Sequence, residues 1–345
     1  MSELIMNEIL KHYSNEFQSG HDLAGGDEEA LFDALITESD ETRISELLTV
    51  WISKGHTEDE LFAIATIMRS RMKRITPLNG NVVDIVGTGG SRAKTFNVST
   101  AAAFVVAGAG VPVAKHGNRA ATSSSGSADV LDLLGIEVDI DPPMTEKHLN
   151  EHGLCFMFAP RFHLLSPTLA IARRSIGRPT IFNNLGPLCN PALVPHSVIG
   201  VWDKSILEIS ANVLARLGTA RSWIVHGENG IDEIALHGKT YVADVRGSQV
   251  KLMTISAADF GCDTGQSELP QNLSASESAA MIRDILENKH AGEGVEKLVL
   301  VNAATAIFVA GRTNDLTSAY ELATESVRSG SAKAKLNALA EATNR

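Results

Sequence analysis

From residue 82 onward the sequence alternates short apolar runs with longer amphipathic segments, and this alternation restricts the possible folds most strongly. The apolar runs, which are candidate strands, are residues 82–86, 111–114, 137–140, 155–158, 198–201 and 222–225. The candidate helices between them include residues 99–107, 128–134, 145–151 and 204–217. A strand–helix repeat of this kind predicts a mostly parallel sheet with right-handed crossover helices. The expected fold class is therefore α/β, with a β-hairpin added at residues 241–255.

Both ends of the chain are predicted to be helical. Residues 1–76 carry apolar side chains at helix-like spacing, and Thr57 and Glu60 form a capping-box pattern. A turn at residues 77–80 marks the predicted boundary between a small helical domain, 1–76, and a large α/β domain, 77–345. Residues 167–190 interrupt the alternation and are expected to join the helical domain. The C-terminal segments 275–286, 295–309, 317–328 and 333–341 are expected to be helices.

Charge and composition restrict the possible partners. The 345 residues include 30 Lys and Arg against 41 Asp and Glu, and the resulting net charge of −11 disfavours a nucleic-acid partner. No apolar run is long enough to span a bilayer, and the N-terminus lacks the pattern of a signal peptide. The three cysteines are isolated and form neither a disulfide framework nor a CxxC metal site. We therefore expect a cytoplasmic protein without a membrane partner.

The first candidate strand ends in the glycine-rich loop GTGG, residues 87–90, whose backbone amides would surround an anion. The dinucleotide fingerprint G-x-G-x-x-G fails because Arg92 replaces its third glycine. The P-loop pattern fails because Thr88 and Ala93 replace its two glycines. A helix is predicted to start near Asn97 and Ser99, where free amides favour phosphate. A plain tight turn, with these two side chains acting as helix caps, is the alternative.

The second candidate strand ends in a cationic segment, KHGNR, residues 115–119. A hydroxyl-rich stretch, residues 122–127, follows it and leads into another predicted helix, which again suits phosphate. In an open α/β sheet, ligands bind outside the carboxyl ends of the strands. We therefore expect the two loops to face one crevice that binds a phosphate-bearing molecule.

Three further positions hold candidate ligand-binding or catalytic residues. Asp232 and Glu233 are adjacent carboxylates that suit Mg²⁺, which commonly bridges carboxylates and substrate phosphates, although a charged surface turn has the same pattern. Arg173 lies on a predicted helix and would clamp a carboxylate, unless it belongs to an ordinary amphipathic face. His163 is a site residue or a loop histidine with a structural hydrogen bond. No nucleophile–base pair stands out, and no catalytic acid or base is assigned.

The sequence resembles the anthranilate phosphoribosyltransferase family of tryptophan biosynthesis over about residues 31–312. The motifs that carry the resemblance are GTGG (87–90), TFNVST (95–100), KHGNRAATSSSGSAD (115–129), FAPRFH (158–163), ARRSIGRPTIFNNLGPLCNP (172–191), HGENGIDE (226–233) and VNAA (301–304). The resemblance implies a nucleoside phosphorylase/phosphoribosyltransferase-like fold with a small helical domain and a large α/β domain. It also implies a homodimer and Mg²⁺-dependent transfer of a phosphoribosyl group from phosphoribosyl pyrophosphate to the amine of anthranilate.

The resemblance also implies three sets of site residues. Those assigned to phosphoribosyl pyrophosphate are Gly87, Thr88, Gly89, Gly90, Thr95, Asn97, Ser99, Thr100, Lys115, Thr122 and Ser123. Those assigned to anthranilate are Gly87, His116, Gly117, Asn118, His163 and Arg173. Those assigned to Mg²⁺ are Ser99, Asp232 and Glu233.

The sequence departs from the family pattern at four positions. Ser91 and Arg92 follow GTGG where the family usually has Asp-Gly, and we hypothesise that Arg92 adds positive charge near the pyrophosphate. Replacement of Arg92 by glycine should then raise the KM for phosphoribosyl pyrophosphate, and an unchanged KM across Mg²⁺ concentrations would contradict it. Ser166 replaces an aromatic residue and Asn184 a leucine, and both changes are expected to affect acceptor specificity.

Three alternatives to the anthranilate reaction remain open at the level of sequence. The departures leave room for transfer to another aromatic amine. A nucleoside phosphorylase shares the expected architecture, but its glycine loop usually reads Ser-Thr-Gly-Gly, and Gly87 replaces the serine. A non-catalytic homologue that binds nucleic acid is disfavoured by the acidic net charge and by the presence of Asp232 and Glu233.

Overall fold

A seven-stranded sheet organises the computed structural model, which describes residues 3–89, 91, 95–119, 125–265 and 268–343. The strands are β1 Val83–Gly87, β2 Val113–Gly117, β3 Leu154–Phe158, β4 His196–Gly200, β5 Arg221–Gly227, β6 Thr240–Arg246 and β7 Gln249–Ile255. Their spatial order is β3-β2-β1-β4-β5-β6-β7. Strands β1 to β5 pair in parallel, and β6 and β7 add the predicted antiparallel hairpin. The prediction of a mostly parallel α/β sheet is therefore confirmed.

Helices cover both faces of the sheet and form the N-terminal part of the chain. Before β1 the helices are α1 Glu3–Gln18, α2 Glu28–Thr37, α3 Glu41–Lys54 and α4 Glu58–Arg71. Between β1 and β5 they are α5 Val98–Gly108, α6 Ser127–Leu133, α7 Pro142–His152, α8 Ala159–Phe162, α9 Pro167–Ile176, α10 Ile181–Leu188 and α11 Ser205–Leu217. After β7 they are α12 Ala275–Leu286, α13 Gly294–Val309, α14 Leu316–Arg328 and α15 Ser331–Thr343. None of the described helices is both long and apolar enough to cross a membrane.

One predicted strand, residues 137–140, is wrong. Its alternation of side chains is real, because Val138 is buried and its neighbours are not, but the segment joins no strand of the described sheet. The amide of Glu137 donates to the hydroxyl of Thr343 at 3.1 Å, and the amide of Asp139 donates to the Glu137 carboxylate at 2.8 Å. Any extended chain that packs one side against a core shows this pattern, so alternation alone does not predict strand pairing.

Two large hydrophobic clusters lie on opposite faces of the sheet because successive strand side chains point to opposite sides. In β5, Trp223 belongs to the first cluster and its neighbour Ile224 to the second. The first cluster joins the sheet to α5 and α13, and α13 is buried on nearly all sides. The second cluster joins the other face to α11 and to the N-terminal helices. Both helical layers hold the sheet rigidly behind the carboxyl ends of its strands.

The N-terminal helices pack with residues 167–190. The predicted capping box is confirmed, because Thr57 Oγ1 accepts from the Glu60 amide at 3.2 Å and the Glu60 carboxylate accepts from the Thr57 amide at 2.9 Å. Helices α9 and α10 bury Leu169 and Leu185 in the same cluster as α1 to α4. Arg69 of α4 donates to the carbonyl of Leu188 in α10 at 2.8 Å. The domain boundary near residue 77 stays a prediction.

Candidate functional site

A cavity of about 310 Å³ opens at the carboxyl ends of β1, β2 and β4, and α9 and α10 form its other wall. A volume of this size suits a small-molecule ligand. The predicted site residues that line it are Gly87, Thr88, Gly89, Thr95, Asn97, Ser99, Lys115, His116, Gly117, Asn118, His163, Arg173, Asp232 and Glu233. The expectation that both loops face one crevice is therefore confirmed for the described residues.

A few predicted site residues do not line this cavity. Thr100 is buried inside α5 and is not among the lining residues. The predicted residues Gly90, Arg92, Thr122 and Ser123 lie outside the part of the chain that the structure describes.

The glycine loop is fastened to β4 through Thr88. The amide and the hydroxyl of Thr88 both donate to the carbonyl of Gly200, at 2.8 and 3.0 Å. The same hydroxyl accepts from the amide of Trp202 at 3.2 Å. The side chain of Thr88 therefore holds the loop in place, and the hydroxyl of Ser91 donates to the carbonyl of Gly230 at 2.8 Å beyond it.

Helix α5 begins at the cavity without a side-chain cap. Asn97 occupies the N-cap position, but its side chain makes no capping hydrogen bond and instead accepts from the hydroxyl of Ser125 at 2.7 Å. The capping alternative is therefore wrong for Asn97. Thr95, just before the helix, has a buried hydroxyl oxygen with no hydrogen-bond partner among the described residues. An uncapped helix start beside such a hydroxyl favours an anionic ligand.

Lys115 brings a buried cation to the same place. Its Nζ donates to the carbonyl of Ile85 at 2.6 Å and to the hydroxyl of Ser99 at 3.3 Å. Burial lowers the pKa of Lys115 to about 8, and attraction to Asp84 and Glu233 opposes that shift. The charge is thus held in a site of low polarity, where its effect on a phosphate is stronger than in water.

A buried carboxylate behind Lys115 was not predicted. Asp84 is 1% exposed, and burial raises its pKa to about 6, while attraction to Lys115 opposes the shift. Its carboxylate accepts from Asn190 Nδ2 at 2.8 Å and from the His116 amide at 3.3 Å. Asn190 also donates to the carbonyl of Ala114 at 2.9 Å. The available signal was an aspartate inside an otherwise apolar run, since a buried charge requires a partner.

Asp232 and Glu233 supply two carboxylates on the β5–β6 connection. Asp232 is 9% exposed and lies against the end of β1. No group of three or more His, Cys, Asp or Glu residues within metal-binding reach occurs in the described part of the chain. Two carboxylates with the hydroxyl of Ser99 suit a hard cation such as Mg²⁺, which keeps several water or substrate oxygens as ligands. The donor set therefore fits Mg²⁺ better than a metal held by protein ligands alone.

Two histidines form a neutral pair in the wall of the cavity. The Nε2 atoms of His116 and His163 are 3.2 Å apart, and Nδ1 of His116 is 3.1 Å from the carbonyl of Gly186. A carbonyl only accepts, so Nδ1 of His116 carries the proton and its Nε2 accepts from His163. Burial lowers the pKa of His116 to about 3 and that of His163 to about 4. Both ring nitrogens of His116 are therefore engaged within the protein.

We expect replacement of His163 by phenylalanine to flatten the pH dependence of stability in acid. The folded pKa of His163 lies below the value of 6.5 for the unfolded chain, so the unfolded chain binds the extra proton as pH falls from 6.5 to about 4. The wild type should lose about 3 kcal/mol more than the variant over that interval. Urea unfolding at pH 7, 5.5 and 4.5 measures the difference. Protonation of Asp84 changes stability in the opposite direction in both proteins, so it cancels in the difference between them. Parallel curves of unfolding free energy against pH would contradict the prediction.

Arg173 lies on the α9 side of the cavity. Its Nη2 is 3.4 Å from Asn183 Oδ1, its guanidinium carbon is 5.4 Å from the centre of the Phe182 ring, and its Nε is shielded from solvent without a hydrogen-bond partner. Burial lowers the pKa of Arg173 to about 10, so it stays charged at neutral pH. No described carboxylate opposes this shift. A shielded guanidinium with an open donor suits a carboxylate ligand.

Neither of the departures expected to affect the acceptor lines the cavity. Asn184 is fully buried and accepts from the hydroxyl of Ser210 at 2.9 Å, on the α11 side of α10. Ser166 caps α9 by accepting from the amide of Leu169 at 3.1 Å. The side chain of Asn184 satisfies a polar contact between helices, and its effect on acceptor specificity stays a prediction.

Comparisons with known proteins agree with this site. A profile of the glycosyl transferase family, a/b domain, matches residues 79–333. The anthranilate phosphoribosyltransferase of Natronomonas pharaonis is 40% identical over 333 residues, 96% of this chain and 99% of that protein. The enzyme of that name from Pelotomaculum thermopropionicum is 43% identical over 301 residues, 87% of each protein.

Solved structures lead to the same family. The crystal structure of anthranilate phosphoribosyltransferase from Thermus thermophilus has a TM-score of 0.82 and 32% identity, covering 96% of this chain and 99% of that one. The enzyme from Saccharomyces cerevisiae in complex with phosphoribosyl pyrophosphate and Mg has a TM-score of 0.87 and 27% identity, covering 100% and 99%. From its sequence, fold and site, the chain belongs to the anthranilate phosphoribosyltransferase family.

Proposed function

We propose that the chain transfers the phosphoribosyl group of phosphoribosyl pyrophosphate to the amine of anthranilate, with Mg²⁺ as cofactor. The products are N-(5-phosphoribosyl)anthranilate and pyrophosphate. The observation that carries the proposal is the shielded guanidinium of Arg173, whose Nε has no partner, in the same cavity as the buried cation of Lys115. One cation meets the carboxylate of an aromatic acid and the other meets a pyrophosphate. Membership in the family agrees with both assignments.

The phosphate side of the cavity suits the departure of pyrophosphate. Breaking the bond at C1 of the ribose places negative charge on the leaving group, and oriented donors in a dry site stabilise that charge. Lys115 and the uncapped start of α5 are such donors. Ser99, Asp232 and Glu233 would hold Mg²⁺, which when bound supplies further positive charge to the pyrophosphate oxygens.

On the acceptor side of the cavity, the amine of anthranilate must be oriented, and no base has to remove a proton from it first. An aromatic amine is unprotonated at neutral pH and is already a nucleophile. The ring nitrogens of His116 are both engaged, so this residue contributes a neutral surface and not a free base. Arg173 would fix the carboxylate and thereby aim the amine at C1, which converts the encounter into an oriented, intramolecular-like step.

One assay tests the proposed function directly. The protein is mixed with anthranilate, phosphoribosyl pyrophosphate and Mg²⁺, and the fluorescence of anthranilate is followed. We expect the fluorescence to fall only when all three are present. Turnover with another aromatic amine but not with anthranilate would establish the alternative acceptor, and absence of turnover with every amine would refute the transferase.

We also propose a homodimer, a cytoplasmic location and a division into a helical domain, 1–76 with 167–190, and an α/β domain. The family resemblance supports the dimer through the helical part. A groove between α1 and α3, lined by Lys11, Arg43 and Glu46, offers charges of both signs, which would pair with their opposites across a two-fold axis. Sedimentation velocity would give a dimer, and a monomer at assay concentration would contradict it.

A further inference from the structure

Three neighbouring strands end in glycine beneath the loop that carries Asp232. Gly87 ends β1, Gly200 ends β4 and Gly227 ends β5, and Gly87 pairs with Gly200 in register. Residues 228–233 turn back over these strand ends, and the amide of Gly227 donates to the carbonyl of Ile231 at 2.9 Å. The loop therefore rests on backbone, with no side chain beneath it at these three positions.

The approach of the loop to Gly200 leaves no room for a side chain. A Cβ at Gly200 would lie 1.6 Å from the carbonyl oxygen of Asp232 and 2.4 Å from its carbonyl carbon. At Gly87 a Cβ would lie 2.6 Å from Asp232 Oδ2, and at Gly227 it would lie 2.5 Å from Ile231 Cγ1. Of these three positions, only Gly200 would bring its Cβ within 3 Å of backbone atoms of Asp232. A larger residue there must displace the whole peptide that carries the carboxylate.

Gly200 also holds the phosphate loop from its other side. Its carbonyl accepts from the amide and the hydroxyl of Thr88, next to Gly87 in the glycine loop. Gly200 thus contacts both the loop predicted to bind pyrophosphate and the loop that supplies a carboxylate for Mg²⁺. A shift of this peptide changes the distance between the two loops.

We propose that Gly200 is a positioning residue that sets Asp232 against the end of β1 and so aligns the carboxylate for Mg²⁺ with the glycine loop. The inference rests on the proposed function, in which Mg²⁺ and pyrophosphate bind together between these loops. Gly200, which has no side chain, would thus align two binding elements that are distant in sequence. Thr88 lies 112 residues before it and Asp232 lies 32 residues after it.

The test is the substitution Gly200→Ala, assayed for Mg²⁺ and for each substrate. Displacements of about 1 Å cost on the order of 100-fold in rate, so we expect kcat/KM for phosphoribosyl pyrophosphate to fall by about 100-fold. The Mg²⁺ concentration for half-maximal activity should rise, and the KM for anthranilate should stay near that of the wild type. Calorimetry without turnover should show that Mg²⁺ strengthens phosphoribosyl pyrophosphate binding to the wild type and not to the variant.

A matched control separates alignment from general damage. Gly108, at the end of α5, also has neighbours too close for a side chain, away from the cavity, because a Cβ there would lie 2.3 Å from Ser326 Oγ and 2.6 Å from the Ala332 amide nitrogen. Gly108→Ala should lower the unfolding temperature but leave the Mg²⁺ dependence unchanged. An equal Mg²⁺ defect in Gly108→Ala, or a folded Gly200→Ala with wild-type Mg²⁺ dependence, would overturn the proposal.

A second pair of variants keeps the test decisive if Gly200→Ala does not fold. Gly227→Ala meets the side chain of Ile231 and should displace the same loop less, giving a milder Mg²⁺ defect. Gly227→Ala with Ile231→Ala removes the opposing Cγ1 and Cδ1 atoms and should recover the Mg²⁺ dependence, while failure to recover contradicts the proposal. A wild type without turnover would refute the proposed function, whereas Mg²⁺-dependent calorimetric binding still tests the alignment.

Discussion

Replacing Arg173 by alanine should lower kcat/KM for anthranilate by about 30-fold or more, because truncating one partner of a buried ion pair costs about 2–5 kcal/mol. The KM for phosphoribosyl pyrophosphate should change little, since Lys115 and the glycine loop remain. Steady-state kinetics with each substrate varied in turn measures the split. Arg173→Lys should recover only part of the loss, because an ammonium lacks the planar pair of donors that a carboxylate accepts.

Arg174 offers a matched control on the same helix. It carries the same charge and also borders the cavity, but its side chain is exposed, whereas the Nε of Arg173 is shielded from solvent. Arg174→Ala should reduce kcat/KM for anthranilate by less than about fivefold, since exposed charge pairs contribute less than about 1 kcal/mol.

Stability gives a second criterion for Arg173. Its Nε is shielded and unpaired, so the free protein gains nothing from that donor, and Arg173→Ala should not lower the unfolding temperature. A marked fall in stability, or equal effects on both substrates, would show a structural role instead.

Replacing Lys115 by methionine should lower kcat/KM for phosphoribosyl pyrophosphate by about 100- to 1,000-fold, the usual effect of removing one oriented donor to a developing charge. The variant should also lose stability, because Asp84 then remains buried without the attraction of the Lys115 ammonium. Urea unfolding and steady-state kinetics measure the two losses separately.

The double variant Lys115→Met with Asp84→Asn distinguishes catalysis from folding. Neutralising Asp84 removes the uncompensated charge, but a side-chain amide has a single acceptor oxygen, so only one of the two donors, Asn190 Nδ2 or the His116 amide, keeps its partner. We expect part of the stability to return and the activity to stay low, so the two residues couple in unfolding but not in turnover. Recovery of activity in the double variant would show that Lys115 acts only as a counter-ion to Asp84.

Local signals in the sequence predicted the fold well. The capping box at Thr57, the hairpin β6–β7 and the individual strand segments of the parallel sheet depend on side chains a few residues apart, and the structure confirms them. The failure at residues 137–140 has the same origin, because a local pattern of burial does not say what lies beside the chain. Strand pairing is a long-range property that alternation does not encode.

Part of the candidate site was likewise predicted from the sequence, and part was revealed only by the structure. The glycine loop, the cationic segment and the Asp232-Glu233 pair are visible in sequence because each is a cluster of chemically distinctive residues. Asp84 and Asn190, which support Lys115 and His116, are single residues inside apolar or loop segments. Asn184 was assigned to the acceptor side, whereas its hydrogen bond to Ser210 places it between helices.

The sequence by itself determined which groups this protein has for its chemistry: two anion-binding loops at strand ends, a carboxylate pair and a helix-borne arginine. Only the tertiary structure decided how they meet, because parallel strands bring residues over 100 positions apart to one edge of a sheet. It also decided which glycines matter. In the sequence, Gly200 looks like any glycine at the end of a strand. Glycine is needed there because the backbone of Asp232, 32 residues later, occupies the space that a side chain would fill.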